Sequence, residues 1–191
     1  MTSLYPRGFL FAATFCIFIA GCGKSDTSTP KAAAKTFAAA MTTGDADAAK
    51  AASTGADAKM IESMANAFGS YKKLHDAAAA KFGEEGKKLG AMGGSVDDDL
   101  VKKLADATET ITGDTATVAP KDGKAMKLKK VDGAWKVDMS EMAGPMAALG
   151  SQMFDKMGKA AKVTADEIAA GQYKTIDEAQ AAFTKKAMFG P

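Results

Sequence analysis

Lys124-Ala-Met-Lys-Leu-Lys-Lys-Val131, then Asp132-Gly133, then Ala134-Trp-Lys-Val-Asp-Met139 is the stretch on which the reading of this chain turns. An Asp-Gly pair between two alternating segments is a strong short-range hairpin signal. Met126 and Leu128 alternate with Lys127 and Lys129, and Trp135, Val137 and Met139 alternate with Lys136 and Asp138. One face is apolar and the other charged, as in an antiparallel sheet with helices on one side.

Upstream, residues 107–111 and 115–119 are rich in Thr, Val and Ile and flank a Gly113-Asp114 turn. Together the two pairs predict a four-stranded antiparallel meander. Everything before them reads as helix. Thr29 as N-cap and Pro30 at the first helical position open a run over 31–43 with Ala33, Phe37, Ala40 and Met41 on one face. Gly44-Asp45 stops it and caps a short helix over 46–52, and Gly55 breaks the chain again. From Asp57 to about Phe82, Met60, Ile61, Met64, Phe68, Tyr71, Leu74, Ala78 and Phe82 recur at helical spacing, with Gly69 marking a kink. Glycines at 83, 86, 90, 93 and 94 make residues 83–95 a flexible connector with a short helical turn in its middle. Asp97-Asp98-Asp99 then opens a helix ending near Ala105, acids suiting the positive end of its dipole.

Helices return after Gly144-Pro145. Residues 146–158 carry a stripe of Leu149, Met153 and Met157. Thr164-Ala-Asp-Glu167 and Thr175-Ile-Asp-Glu178 both match the capping-box pattern, opening a short helix to Ala170 and a last one over 176–188. The Met and Phe stripes, Met60/Met64/Phe68 and Met153/Met157, read as core, with a Met-rich groove for a partner as the minority reading.

An alanine-rich first helix, a Gly-Asp break, further helices and a terminal meander carrying Lys-Val-Asp-Gly-Ala-Trp-Lys-Val form a recognisable order. Residues 30–140 resemble the nuclear-transport-factor-2-like (cystatin-like) α+β roll found in small exported bacterial proteins. The resemblance implies a curved sheet that wraps a long helix and leaves a conical pocket. It also implies membership of a superfamily that includes isomerases, dehydratases and non-catalytic binding modules, so fold analogy selects no activity. The expected fold class is α+β: N-terminal helices packed on a four-stranded antiparallel meander over 30–140, with a C-terminal helical extension over 141–191.

The start of the chain supplies an address. Gly8-Phe-Leu-Phe-Ala-Ala-Thr-Phe-Cys-Ile-Phe-Ile-Ala20 is thirteen uncharged residues behind Arg7, shorter than the ~20 that span a bilayer and suited to a secretory h-region. It ends in Ile19-Ala20-Gly21-Cys22, which resembles the lipobox of bacterial lipoproteins, whose cysteine is acylated and becomes the first mature residue. The expected organisation is therefore a lipoprotein signal peptide over 1–21, lipidation at Cys22 and a polar tether over 22–29. No second mature cysteine exists to pair with Cys22. The resemblance implies a cell-envelope lipoprotein facing the periplasm or exterior, and Gly23 after the cysteine permits transfer to the outer membrane.

Past residue 21 the chain holds 24 Lys against 23 Asp and Glu, and no Arg. Near-neutral charge without a basic stripe excludes nucleic acid as a partner, and the missing arginine forks disfavour bidentate capture of phosphate. The sole histidine, His75, shares a helix face with Tyr71 four residues earlier. A pocket lined by both would hold a general base if a carboxylate tuned the imidazole. A partly exposed helix histidine beside Asp76 is the plainer reading, so no catalytic residue is assigned. Asp97–Asp99 lacks the alternating spacing of a calcium loop, the Gly-rich connector contains no phosphate-loop pattern, and neither metal nor cofactor is expected. Lys127, Lys129, Lys130 and Lys136 form a basic strand face that suits either anionic headgroups or solubility. The leading expectation is a lipid-anchored, non-catalytic module that binds a small molecule or another envelope component. The alternatives are a pocket enzyme using His75 and an assembly protein acting through its C-terminal helices.

Overall fold

The computed structural model describes residues 26–89, 100–144 and 147–190. The signal region with Cys22, the acids 97–99 and Gly90, Gly93, Gly94 and Pro145 lie outside the described residues. The fold is α+β, and its sheet has five strands in a mixed arrangement.

Helix α1 (Pro30–Thr43) starts where Thr29 accepts from the Ala32 N–H, with proline in the first turn. Gly44, in the left-handed region, ends it. Asp45 caps α2 (Ala46–Ala51), which leads into β1 (Ser53–Thr54). Asp57 caps α3 (Ala58–Phe82), one continuous helix of 25 residues. A 3-10 turn over Gly86–Lys88 and the short α4 (Leu100–Ala105) precede β2 (Thr108–Thr112), β3 (Thr115–Ala119), β4 (Met126–Val131) and β5 (Ala134–Asp138). At the β4–β5 turn Asp132 and Gly133 both take positive φ, 52° and 80°, the conformation that a two-residue hairpin of the right twist demands.

The four strands β2–β5 pair antiparallel in sequence order, as the alternation predicts. The four-strand expectation falls short by β1, which lies parallel to β5 through Ser53 and Thr54. Two residues carry no period, so no alternation announces such a strand. Thr27 extends the same edge by accepting from the Trp135 N–H. Asp26 and Thr27 are thus built into the body, Asp26 also accepting from the Thr36 hydroxyl.

Across the sheet Ala116, Leu128 and Val137 fall in one register row on the inner face. With Val118 and Trp135 they are buried against Phe37 and Met41 of α1 and Leu104 of α4. Large side chains fill this inner face. On the outer face Lys127 pairs with Glu141 at 2.6 Å and Lys129 with Asp138 at 2.8 Å. Lys130, expected on this basic face, is instead the register partner of Trp135 and shares its side of the sheet, the ammonium 5.8 Å from the ring centre. The basic strand face is therefore partly neutralised by its own neighbours.

The chain closes with α5 (Ala147–Ala169) and α6 (Ile176–Phe189). The Thr175–Glu178 capping box forms as expected. The Thr164–Glu167 box does not: Thr164 is fully buried inside α5, which runs unbroken past it. Met153, expected in the core, and Leu149 of the same stripe are 56% and 58% exposed. Instead Gly150 meets Met60, Phe154 meets Phe68, and Gly158 meets the Ala67 backbone. With Gly171 near Lys81, these contacts set α5 parallel to α3 along most of its length. Gly69 is a point of close approach, not a break: a Cβ there would stand 2.6 Å from Gly44 Cα. Residues 83–89 are likewise packed, with Gly86 against the Ala78 backbone and Leu89 buried.

Candidate functional site

A groove of about 360 Å³ opens where the end of α1, the middle of α3 and the middle of α5 meet. Local helix geometry builds both walls. Asn66, Ser70 and Lys73 stand on α3 at successive turns, and Asp155, Lys159 and Lys162 do the same on α5, so each trio shares one face. Because the two helices run parallel, the trios line one channel. The floor is small by necessity. Gly44 against Gly69, and Gly158 against Ala67, bring backbones closer than any Cβ would allow.

The electrostatics of this groove are lopsided. Asp155 is shared with Lys59 at 3.8 Å and Lys162 with Asp166 at 3.1 Å. Lys73 and Lys159 have no ion-pair partner among the described residues. Ser63, also lining the groove, is fully buried with a hydroxyl that finds no hydrogen-bond partner. A buried, unpaired hydroxyl costs on the order of 1–3 kcal/mol. Phe154 supplies an apolar wall, and Ser70 spends its own proton on the Asn66 carbonyl.

The residues singled out from the sequence lie elsewhere. Tyr71 turns edge-on to Phe183 of α6, ring centres 5.8 Å apart. Its hydroxyl is buried without a partner, and burial pushes its pKa up. His75 is half-buried and donates from Nε2 to the Lys87 carbonyl of the 3-10 turn. Asp76 pairs with Lys72 at 3.1 Å. Neither Tyr71 nor His75 lines the α3–α5 groove. Cys22 lies outside the described residues.

A second polar cluster joins α5 to α6. The Tyr173 hydroxyl donates to Glu167, and Lys186 reaches both, at 2.7 Å from the carboxylate and 3.2 Å from the phenol oxygen. Burial raises the Glu167 carboxyl, but the bonds from Lys186 and Tyr173 outweigh it and hold the group below its ordinary range. Burial and the Glu167 carboxylate push the Tyr173 phenol up. Every member has a partner, so the cluster is a clasp on the α5–α6 turn.

Among the described residues no group of three His, Cys, Asp or Glu is placed to hold a metal, and no helix is long and apolar enough to cross a membrane. The chain matches no family model, no curated protein and no solved structure. Sequence reading missed the groove because Asn66, Ser70 and Lys73 are an ordinary polar strip until α5 lies beside them. The signal present was two polar helical strips, each bearing lysine, with glycine or alanine beside them.

Proposed function

We propose that this chain is an exported cell-envelope lipoprotein, tethered by acyl chains on Cys22, whose body is a non-catalytic binding module. The observation that carries the reading is the thirteen-residue apolar run closed by Ile19-Ala20-Gly21-Cys22, followed almost at once by folded chain at Asp26 and Thr27. Each acyl methylene contributes ~0.8 kcal/mol of anchoring, so two or three chains hold the protein effectively for good. Four residues of extended chain reach roughly 14 Å, which would keep the body against the bilayer surface. The expected tether over 22–29 is shortened by its ordered end at 26–29.

Helices on one face of the sheet support a likeness to the nuclear-transport-factor-2-like roll, although the helix that lies on the strands is the 14-residue α1 and the long α3 packs on α1, α2 and α5. Binding is favoured over catalysis by the surroundings of His75: its Nε2 is spent on a backbone carbonyl and Asp76 is spent on Lys72. The test is Cys22→Ser in the native host. Wild type should sediment with membranes and show an acyl mass increment, and the variant should turn soluble. A variant that stays with the membrane, or a wild-type mass with a free thiol, overturns the address.

One observation favours a second reading, assembly through the C-terminal helices. Leu149, Met153, Met188 and Phe189 are all more than half exposed, beside a groove of about 710 Å³ lined by Leu149, Gln152, Met153, Lys156 and Ala187. Truncating this end would also uncover Leu74 and Ala78 of α3, so the cleaner variant is Leu149→Ser with Met153→Ser. An envelope protein retained by wild type and released by that variant would support assembly.

A further inference from the structure

We infer that the groove between α3 and α5 is the seat of a small soluble oxyanion, a compound carrying a phosphate or carboxylate group. The inference rests on the reading of the body as a binding module and gives that module its site and ligand class.

Three lysines line the groove, Lys73 from α3 and Lys159 and Lys162 from α5. Lys162 is paired with Asp166, and the one acid among the lining residues, Asp155, is shared with Lys59, which leaves Lys73 and Lys159 uncompensated among the described residues. Unpaired like charges across a narrow channel repel, and an anion between them removes that repulsion. Hydrogen-bonding capacity accompanies the charge in the exposed Asn66 amide on the rim.

The size and shape select the class. About 360 Å³ lies at the lower end of small-molecule sites, which run to roughly 300–1,000 Å³. Two helical walls and a glycine floor confine the ligand along a short channel, unlike the open basic stripe that a polymer would need. Phe154 gives a carbon skeleton something to lie on. Lysines act as point charges and impose no planar fork, so they select for charge and not for carboxylate over phosphate.

The test is calorimetric titration of the full acylated protein in detergent with inorganic phosphate and with succinate, at ionic strength held constant with sodium chloride. At least one anion should bind saturably at one site. Lys73→Gln with Lys159→Gln, both exposed and unpaired, should weaken it by about tenfold or more. Lys121→Gln with Lys124→Gln changes net charge equally on the β3–β4 loop, outside the groove, and should leave affinity within about twofold, short of the factor set by one charged contact.

Absence of saturable binding by either anion, or binding that survives the lysine pair, overturns the proposal. So does lysine-dependent binding confined to phosphatidylglycerol vesicles, since that would make the ligand a headgroup. Native mass spectrometry separates the two levels. A small molecule that travels with wild type and with the Lys73/Lys159 variant alike removes the groove and keeps the binding module. No travelling molecule together with no anion binding removes both.

Discussion

The molecule holds itself together in two different ways on the two sides of α3. Toward the sheet, Phe37, Met41, Leu104, Val118, Leu128, Trp135 and Val137 fill space with large side chains. Both buried sets are about half alanine; toward α5 and α6, where Ala78, Ala160, Ala161, Ala165 and Ala179 surround Leu74, Leu89, Ile168 and Phe183, no tryptophan-sized side chain joins them. Alanine brings little apolar area, so this seam gains its contact by letting backbones approach, as at Gly158 against Ala67. The sheet side is sensitive to lost volume, and the seam to added volume. The seam also leaves the shallow polar groove where its small residues reach the surface.

The sharpest break of this contrast is Trp135→Ala. The indole is nearly buried, touches the α1 side and carries Lys130 over its ring, so the loss should be about 3–5 kcal/mol in urea unfolding. The converse experiment is Gly158→Ala. In an ordinary helix this change stabilises by ~0.5–1 kcal/mol, but here the new Cβ would lie 2.9 Å from Ala67 Cα. It should destabilise by roughly 1–3 kcal/mol, and a stabilised variant would show that the close approach is dispensable.

Acid sharpens the comparison at the edges. At Asp138, on the sheet, burial raises the carboxyl, but bonds from Lys129 and Ser140 outweigh it and bring its pKa to about 2. Glu167, on the α5–α6 clasp, is lowered by Lys186 and Tyr173 against the same burial. Both folded values lie below the unfolded ones, so the unfolded chain binds more protons. Their stabilisation is present above the ordinary carboxylate range and is lost as pH falls through the folded values. Asp138→Asn should remove about 1–2 kcal/mol at neutral pH and flatten the stability profile between about pH 4 and 2. Smallest of all, Thr175→Ala should cost ~1 kcal/mol through the lost capping box, read as a shift in the denaturant midpoint with an unchanged slope.

Local chemistry made much of the fold legible. The Asp132-Gly133 turn, the alternation around Leu128 and Trp135, the Thr29-Pro30 start and the Thr175–Glu178 box each act within a few residues, and each forms where the pattern puts it. The misreadings share a cause. Thr164–Glu167 satisfies the letter of a capping box, yet Thr164 is buried in α5 among Ala160, Ala161, Ala165 and Ile168, and packing along α3 keeps the helix going. Met153 is large and apolar and reads as core, but α5 turns Gly150, Phe154 and Gly158 toward α3 instead. Of the candidate site, Tyr71 and His75 were conspicuous as chemistry, while Lys73 and Lys159 were indistinguishable from other surface lysines.

The sequence by itself determined the α+β class, the order of the elements, the meander from β2 to β5 and most helix starts, because turns, caps and alternation are short-range effects of backbone and side-chain geometry. Only the tertiary structure decided that β1 joins the sheet, that α5 lies parallel to α3, and that Lys73, Lys159 and Ser63 share a groove. Those outcomes depend on which helix faces come closest. Where glycine and alanine let backbones touch, steric fit between distant segments outweighs the hydrophobicity of any one stripe.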